Sequence, residues 1–88
     1  MVILTDYMRY RARLRGFDLN EIERILRFSE ERYLDTSTGR RLAIGHHGNV
    51  LVAIPYEQSG EEITPITIHA TNRHQVSSRI KAGRYIHE

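Results

Sequence analysis

The sequence predicts an α+β fold in which an antiparallel sheet of three to four strands is packed by two N-terminal helices and a C-terminal helix. Three observations indicate this class. Apolar residues recur at helical spacing near both ends of the chain, the middle contains apolar runs separated by turn residues, and Val50–Ile54 is apolar at every position. With 88 residues and no cysteine, the chain is expected to form one domain, residues 1–88, without disulfide bonds.

The first helix is predicted from its caps and its composition. Thr5 or Asp6 can cap its start, and Gly16 can end it in the left-handed conformation. The same residues also fit a strand in which apolar side chains alternate with four arginines. Met, Arg, Ala and Leu favour the helix. The apolar stripe expected to face the core is Ile3, Tyr7, Tyr10 and Leu14.

The second helix carries the clearest signals in the chain. Asp18 and Glu21 have the spacing of a capping box, and Phe17 can pack against Ile22 as a hydrophobic staple. The helix is expected to fade near Ser29. Its predicted buried stripe is Leu19, Ile22, Ile25 and Leu26.

The middle of the chain is predicted to form a meander of strands joined by turns. Val50–Ile54 is typical of a central strand that is covered on both faces. Pro65 predicts an edge position or a bulge in the last strand, because proline cannot donate a hydrogen bond to the ladder. The first of these strands is expected to be a short edge strand. The predicted strands span residues 32–36, 41–46, 49–56 and 63–70.

A last helix is predicted to begin after Asn72, which has a capping-box partner in Gln75. Val76 and Ile80 lie one turn apart and are expected to face the core. Gly83 is expected to end the helix.

Arginine dominates the basic residues and clusters near both ends of the chain. Twelve of the thirteen basic residues are arginine, although the net charge is only +2. Arginine binds phosphate bidentately and stays protonated at working pH. Most acidic residues lie elsewhere, in 18–31 and 57–62, so the clusters indicate a polyanion or an acidic protein as partner. The clusters are Arg9, Arg11, Arg13 and Arg15, and Arg73, Arg79, Lys81 and Arg84.

Four segments carry a resemblance to a known family. They are residues 11–26 (RARLRGFDLNEIERIL), 39–56 (GRRLAIG and NVLVAIPY), 63–70 (ITPITIHA) and 79–85 (RIKAGRY). Their arrangement resembles the RelE/ParE toxin superfamily of bacterial toxin–antitoxin modules, and within it the compact BrnT-type and related uncharacterised members. The resemblance covers most of the chain, and its most specific part is the closing strand and basic helix.

The resemblance implies a curved antiparallel sheet with a basic cleft. It also implies an endoribonuclease that cleaves messenger RNA, often on the ribosome, with no metal ion or other cofactor. Such toxins are silenced by a cognate antitoxin protein, and some relatives poison DNA gyrase instead. The lysine pair of the best-known RNA-cleaving members is absent, since Lys81 is the only lysine. The chain departs from the family pattern at these positions.

His69 is the candidate for proton transfer, because an imidazole titrates near neutral pH and serves as base or acid. It is predicted to point away from Ile68 and Ala70. Arginines would stabilise the phosphorane, and Tyr85 would stack on a base or move a proton. A histidine satisfied by its neighbours and a solvated arginine face are the alternatives. Catalytic candidates are His69, Arg79, Arg84 and Tyr85, and RNA-binding candidates are Arg9, Arg13, Arg73 and Lys81.

Other partners and cofactors receive less support from the sequence. His46 and His47 are adjacent on a predicted strand and therefore point to opposite faces, so no metal site is expected. Met1–Leu4 is too short an apolar run for a membrane span, and the lack of cysteine suits the cytoplasm. The alternative function is a non-catalytic module that binds nucleic acid or an acidic protein, such as an inactive toxin relative.

Overall fold

The structure is a computed structural model that describes all 88 residues. Three helices and a six-stranded sheet confirm the α+β class, with more strands than the sequence predicts. The helices are α1 (Asp6–Arg15), α2 (Leu19–Phe28) and α3 (Arg73–Lys81). The strands are β1 (Arg32–Asp35), β2 (Arg40–His47), β3 (Val50–Ser59), β4 (Glu62–Pro65), β5 (His69–Thr71) and β6 (Tyr85–His87).

The sheet runs β4-β3-β2-β1-β6, and β5 pairs with the other half of β3. All these strand pairs are antiparallel. The expectation that β1 is an edge strand is wrong, because β6 pairs with its outer side. Gly83, with φ of 77°, turns the chain back after α3, and the three-residue β6 is too short for its periodicity to be read from sequence.

The sheet is covered on both faces, and each face has its own apolar cluster. The helices α1 and α2 cover one face and α3 covers the other. Along β3, Val52 and Ile54 belong to the first cluster, whereas Leu51 and Ala53 belong to the second. The prediction of a central strand covered on both faces is therefore confirmed for residues 51–54, while Val50 is exposed.

The caps of α1 are confirmed, but its buried side is not the predicted one. Thr5 accepts a hydrogen bond from the Met8 N–H, and Gly16 ends the helix with φ of 75°. The side chains that enter the core are Met8 and Ala12, one turn apart. The predicted core residues Tyr7, Tyr10 and Leu14 face solvent instead and are 56%, 61% and 67% exposed.

The second helix forms as predicted, except for one hydrogen bond at its start. Ile22, Ile25 and Leu26 are buried and Leu19 packs against them. Asp18 caps the helix by accepting a hydrogen bond from the Asn20 N–H. The capping box does not close, since Glu21 pairs with Arg24 and the Asp18 N–H donates to His47 Nε2 at 2.8 Å.

A glycine sets how closely α2 approaches the sheet. A Cβ atom at Gly45 in β2 would lie 2.8 Å from Cγ2 of Ile25. This distance is too short for a side chain, so the helix packs directly on the backbone of β2.

The last helix is confirmed in its cap and its buried residues. Asn72 accepts a hydrogen bond from the Gln75 N–H at 2.8 Å. Val76 is buried in the second cluster and Ile80 packs against it. No helix of the structure has both the length and the apolarity that a membrane crossing requires.

Candidate functional site

A bulge in the sheet decides where His69 lies. Both β4 and β5 pair with β3, through Tyr56↔Pro65 and Ala53↔His69. Between these pairs, residues 66–68 face only residues 54–55, so one residue is extra. An extra residue reverses the alternation of side chains along a strand.

Because of the extra residue, His69 lies on the opposite face of the sheet from Pro65. Ile68 enters the core beneath α1 and α2. His69 follows on the side of Ala53, which belongs to the cluster beneath α3. The predicted orientation of His69 is confirmed. Of the two alternatives predicted for Pro65, an edge or a bulge, the structure shows Pro65 in the edge strand β4 with the bulge directly after it.

The positive charges of four arginines, from both ends of the chain, act on His69. Because β5 has a partner strand on one side only, His69 lies at an edge of the sheet. Its imidazole is half-buried. Burial lowers its pKa below 6.5, and the positive charges of Arg79, Arg15, Arg11 and Arg84 lower it further. His69 is consequently a neutral imidazole at pH 7, which is the form that accepts a proton.

Two of these four arginines were not among the sequence candidates. Arg11 and Arg15 lie one turn apart on α1. The charges of both lower the pKa of His69, and neither residue forms an ion pair. The predicted RNA ligands Arg9 and Arg13 lie on the other flank of α1 and are exposed. Choosing Met8 and Ala12 as the buried pair would have identified Arg11 and Arg15.

Two buried polar atoms in this neighbourhood have no hydrogen-bond partner. They are Nε of Arg11 and Oγ1 of Thr67, which lies in the bulge two residues before His69. Buried donors and acceptors are normally satisfied by protein, water or ligand. Their unused capacity is consistent with a site that a bound anion or water would complete.

Arg79 lies between His69 and Tyr85. Its Nη1 donates a hydrogen bond to the Tyr85 hydroxyl at 3.0 Å, and its guanidinium lies 5.6 Å from the ring centroid. Tyr85 is 3% exposed and its ring stacks on Tyr33, with centroids 5.5 Å apart. The ring therefore packs in the core rather than offering a face to a base. Its hydroxyl positions Arg79, whose other N–H groups remain free to bind phosphate.

Arg84 is held by a buried carboxylate. Its Nε and Nη2 donate to the two oxygens of Asp35 at 3.2 and 3.3 Å. Burial alone would raise the pKa of Asp35, but hydrogen bonds from Arg84 and Ser37 lower it below its usual value. The pair joins β1 to the segment after α3, and this places Arg84 in a structural contact.

Arg73 is held in a similar way at the other end of α3. Its Nη1 donates to Oε2 of Glu31 at 2.7 Å, and the Tyr33 hydroxyl donates to the same oxygen at 2.7 Å. Burial and the Glu31 hydrogen bond raise the pKa of Tyr33 to about 12. Lys81, in the last turn of α3, is exposed and forms no ion pair.

The two remaining histidine candidates do not join this site. His47 accepts a hydrogen bond from the Asp18 N–H and contacts the Phe17 ring, so it anchors the start of α2. His46 is exposed on the same strand. No three His, Asp or Glu residues are grouped in a way that could hold a metal ion.

The one open depression of the surface is elsewhere. It measures about 430 Å³ and lies where β2 begins and β3 ends. Arg41 on its wall pairs with Glu88, and Tyr56 is buried. It offers no histidine for proton transfer, so the His69 cluster is the better candidate site. The depression is lined by Gly39, Arg40, Arg41, Tyr56, Glu57 and Gln58.

Comparisons with protein-family models, with curated proteins and with solved structures gave no match to this chain. Membership of the RelE/ParE superfamily therefore stays a prediction from the four resembling segments.

Proposed function

We propose that this protein is a metal-independent endoribonuclease of the RelE/ParE toxin type, with His69 as the proton-transfer group. The observation that carries the proposal is that the charges of four arginines, from both ends of the chain, act on one half-buried histidine and lower its pKa. A neutral imidazole among fixed cations is suited to cleaving a phosphodiester, which needs a base and positive charge at the phosphate.

The chemical step uses the ribose of the substrate as nucleophile. His69 accepts the proton of the 2′-hydroxyl, whose oxygen then forms a bond to phosphorus. The bond from phosphorus to the 5′-oxygen breaks, and the imidazolium returns its proton to that oxygen. The products are a 2′,3′-cyclic phosphate and a 5′-hydroxyl, so protons and charge balance without another reactant.

Three arginines are assigned to the phosphate. Arg11 and Arg15 approach from α1, and Arg79 approaches from α3. Their charges stabilise the phosphorane most strongly because the site is partly desolvated. Tyr85 orients Arg79 through its hydroxyl. Arg84, a catalytic candidate by sequence, is assigned instead to holding Asp35, since two of its nitrogen atoms bind that carboxylate.

The biological setting of the proposal rests on the family resemblance. The substrate would be messenger RNA, on or off the ribosome, in the cytoplasm. Arg9, Arg13 and Lys81 are exposed cations that would add affinity for the RNA backbone. A cognate antitoxin would silence the enzyme.

A second candidate is a non-catalytic module that binds nucleic acid or an acidic protein. Arg73 and Arg84 are occupied by carboxylates, which leaves fewer cations at the site than the sequence predicts. A gyrase-directed or inactive toxin relative would share this arrangement. Binding without cleavage would distinguish the module from the enzyme.

The test compares two histidine variants on purified protein and labelled RNA in the presence of EDTA. His69→Ala is expected to lose about 10²–10⁴-fold in cleavage rate, the usual contribution of a general acid–base group. His74→Ala, an exposed histidine on α3, is the matched control and should retain full activity. Thermal unfolding of both variants shows whether the loss is chemical.

Each outcome of this test decides a specific point. Full activity of a folded His69→Ala protein would remove His69 from the mechanism. RNA binding without cleavage by the wild type would favour the non-catalytic module. Inducing the chain in a bacterium and mapping fresh RNA 5′ ends then tests the messenger RNA substrate.

A further inference from the structure

One edge of the sheet is left open by the fold. The strand β6 pairs with β1 on one side and has no partner on the other. At the far end of the sheet the outer side of β4 is occupied, because Ile63 accepts a backbone hydrogen bond from Ile3 and donates one to Met1. The segment 84–88 (RYIHE) lacks the proline, lysine or bulge with which many edge strands are blocked.

The ladder between β6 and β1 shows which backbone groups are unpaired. The carbonyl of Arg84 and the N–H of Glu88 bond to the backbone of residues 32–36. Residues of an antiparallel strand alternate between bonding to the partner strand and pointing away from it. The N–H and C=O groups of Tyr85 and His87 therefore point outward, where no strand receives them.

The sequence of this edge is complementary to itself in antiparallel orientation. When Ile86 is placed opposite a second Ile86, Tyr85 faces His87 and Arg84 faces Glu88. Cross-strand pairs of aromatic rings and of opposite charges stabilise a sheet, whereas like charges destabilise it. In the same register, the outward backbone groups of Tyr85 in one copy meet those of His87 in the other.

The centre of this pairing is apolar. Ile86 is 51% exposed, and the half-buried Leu34 lies directly opposite it on β1. Two copies paired at Ile86 would therefore form one row of aliphatic side chains that crosses both sheets.

The charged ends of the segment retain unused hydrogen-bonding groups. Arg84 binds Asp35 through Nε and Nη2, which leaves its Nη1 for another acceptor. Glu88 binds Arg41 through Oε1, which leaves its Oε2 for another donor. A pair between Arg84 of one copy and Glu88 of the other would join these two ion pairs into one network.

We propose that the free edge of β6 pairs with the same edge of a second copy of this chain, about a two-fold axis at Ile86. Such an interface is isologous, because each copy presents the same surface to the other. A strand of another protein would need its own match to Arg84 and Glu88, whereas a second copy supplies that match. Pairing at β6 does not depend on the proposed function, since none of its contacts involves His69.

The absence of cysteine from the chain allows a direct test by cross-linking. Opposed residues that share no hydrogen bond have Cα atoms about 4.5 Å apart, which a disulfide spans. Ile86→Cys should therefore form a disulfide-linked dimer in diamide at least about tenfold faster than two control variants. The controls are His87→Cys, which faces Tyr85 in this register, and Val50→Cys, at a β3 residue that is 44% exposed. Reaction with Ellman's reagent shows whether the three thiols are equally accessible.

Sedimentation equilibrium measures the same contact without a covalent bond. We expect the wild-type chain to dimerise with a dissociation constant below roughly 500 μM. Ile86→Lys sets two cations at the axis and His87→Pro removes an outward N–H, so each should weaken the dimer at least about tenfold. Val50→Lys is the matched control and should change the dissociation constant less than about twofold. Thermal unfolding confirms that each variant is folded.

Several results would overturn the proposal. One is a wild-type chain that stays monomeric at about 1 mM. Another is an Ile86→Cys protein that cross-links no faster than the controls although its thiol is equally accessible. Faster cross-linking of His87→Cys would move the axis and remove the match of Arg84 with Glu88. A dimer that persists in folded Ile86→Lys and His87→Pro proteins would lie on another surface.

Discussion

The two basic clusters of this chain have the same residue type but different surroundings. In α1, none of the four arginines pairs with a carboxylate. In the C-terminal cluster, Arg73 is bound to Glu31, Arg84 to Asp35, and Arg79 to the Tyr85 hydroxyl. The difference shows that a cluster of arginines in the sequence does not by itself predict a binding surface, because the fold can pair those arginines with its own acidic residues.

The cause of the difference lies in the pairing of distant strands. Glu31 and Asp35 are more than forty residues from Arg73 and Arg84 along the chain. The sheet brings these acids beneath α3, where they neutralise the nearby arginines. No acid is brought to α1, so its charges remain available for a phosphate or an acidic partner.

The largest expected effect separates an arginine without a carboxylate partner from one that is paired with a carboxylate. Arg79→Gln should lower the RNA cleavage rate about 10²–10³-fold, the loss usual for removing one charge-stabilising donor. Arg73→Gln should leave the rate nearly unchanged, because Arg73 is occupied by Glu31. Single-turnover kinetics measures both. Equal losses in the two variants would show that pairing with a carboxylate does not exclude an arginine from the site.

The next expected effect is on thermal stability. Here a substitution in the C-terminal cluster should cost more than one in α1. Arg84→Ala leaves Asp35, which is 6% exposed, without its cation. The expected cost is about 1–3 kcal/mol, or a melting temperature lower by roughly 4–8 °C per kcal/mol. Arg13→Ala, at an exposed arginine, should change the melting temperature little. If the two variants melt alike, the Asp35 contact is not a stabilising one.

A smaller effect is expected in the dependence of stability on pH. The folded-state pKa of His69 is lowered from 6.5, so the folded protein resists protonation that the unfolded chain accepts. Stability from this neutral imidazole is fully present above pH 6.5 and is lost as pH falls through the lowered pKa. His69→Gln should remove this loss. Urea unfolding at a series of pH values measures it, and an unchanged profile would place the imidazole in water.

The carboxylate pairs should act in a separate, more acidic range. The pKa of Asp35 is lowered from 3.8, so its contribution is present above that value and lost as pH falls through the lowered pKa. Asp35→Asn should reduce this acidic part of the profile. The share of Glu31, whose pKa is also lowered, and the part due to His69 should remain.

The smallest effect is in the salt dependence of RNA binding. Each arginine that neutralises a phosphate of a single strand adds about 0.7 to the slope of log affinity against log salt. Arg15→Gln should reduce the slope by about this amount, whereas Arg73→Gln should not. Filter binding across a range of salt concentrations measures both. A larger decrease in the slope for Arg73→Gln than for Arg15→Gln would show that the C-terminal cluster, and not α1, contacts the phosphates.

The sequence predicted those elements whose signals are local. Asp18 and Asn72 are caps in the structure, Ile22, Ile25 and Leu26 are buried, and residues 51–54 form a strand covered on both faces. These features depend on side chains within one or two turns of each other, or on one continuous apolar run. Local chemistry was sufficient for each of them.

The features that the sequence missed depend on contacts between distant segments. In α1 the stripe from Tyr7 to Leu14 competes with the shorter pair Met8 and Ala12, and it is the pair that enters the core with residues of α2 and β3. The strand β6 forms by pairing with the side of β1 that β2 does not occupy. For the site, sequence identified His69 and Arg79, but Arg11 and Arg15 follow only from the rotation of α1.

The most direct test of the convergence of arginines on His69 is an NMR titration of its imidazole. His69→Gln identifies the resonance by its disappearance. The titration is run with the free protein, with Arg15→Gln, and with a 2′-O-methyl RNA oligonucleotide, which lacks the nucleophilic hydroxyl. We expect a pKa below 6.5 in the free protein, raised by Arg15→Gln and raised further by bound RNA, because each removes positive charge near the ring. A His69 that titrates at 6.5 or above and is unaffected by both changes would contradict the convergence of the two clusters on this site.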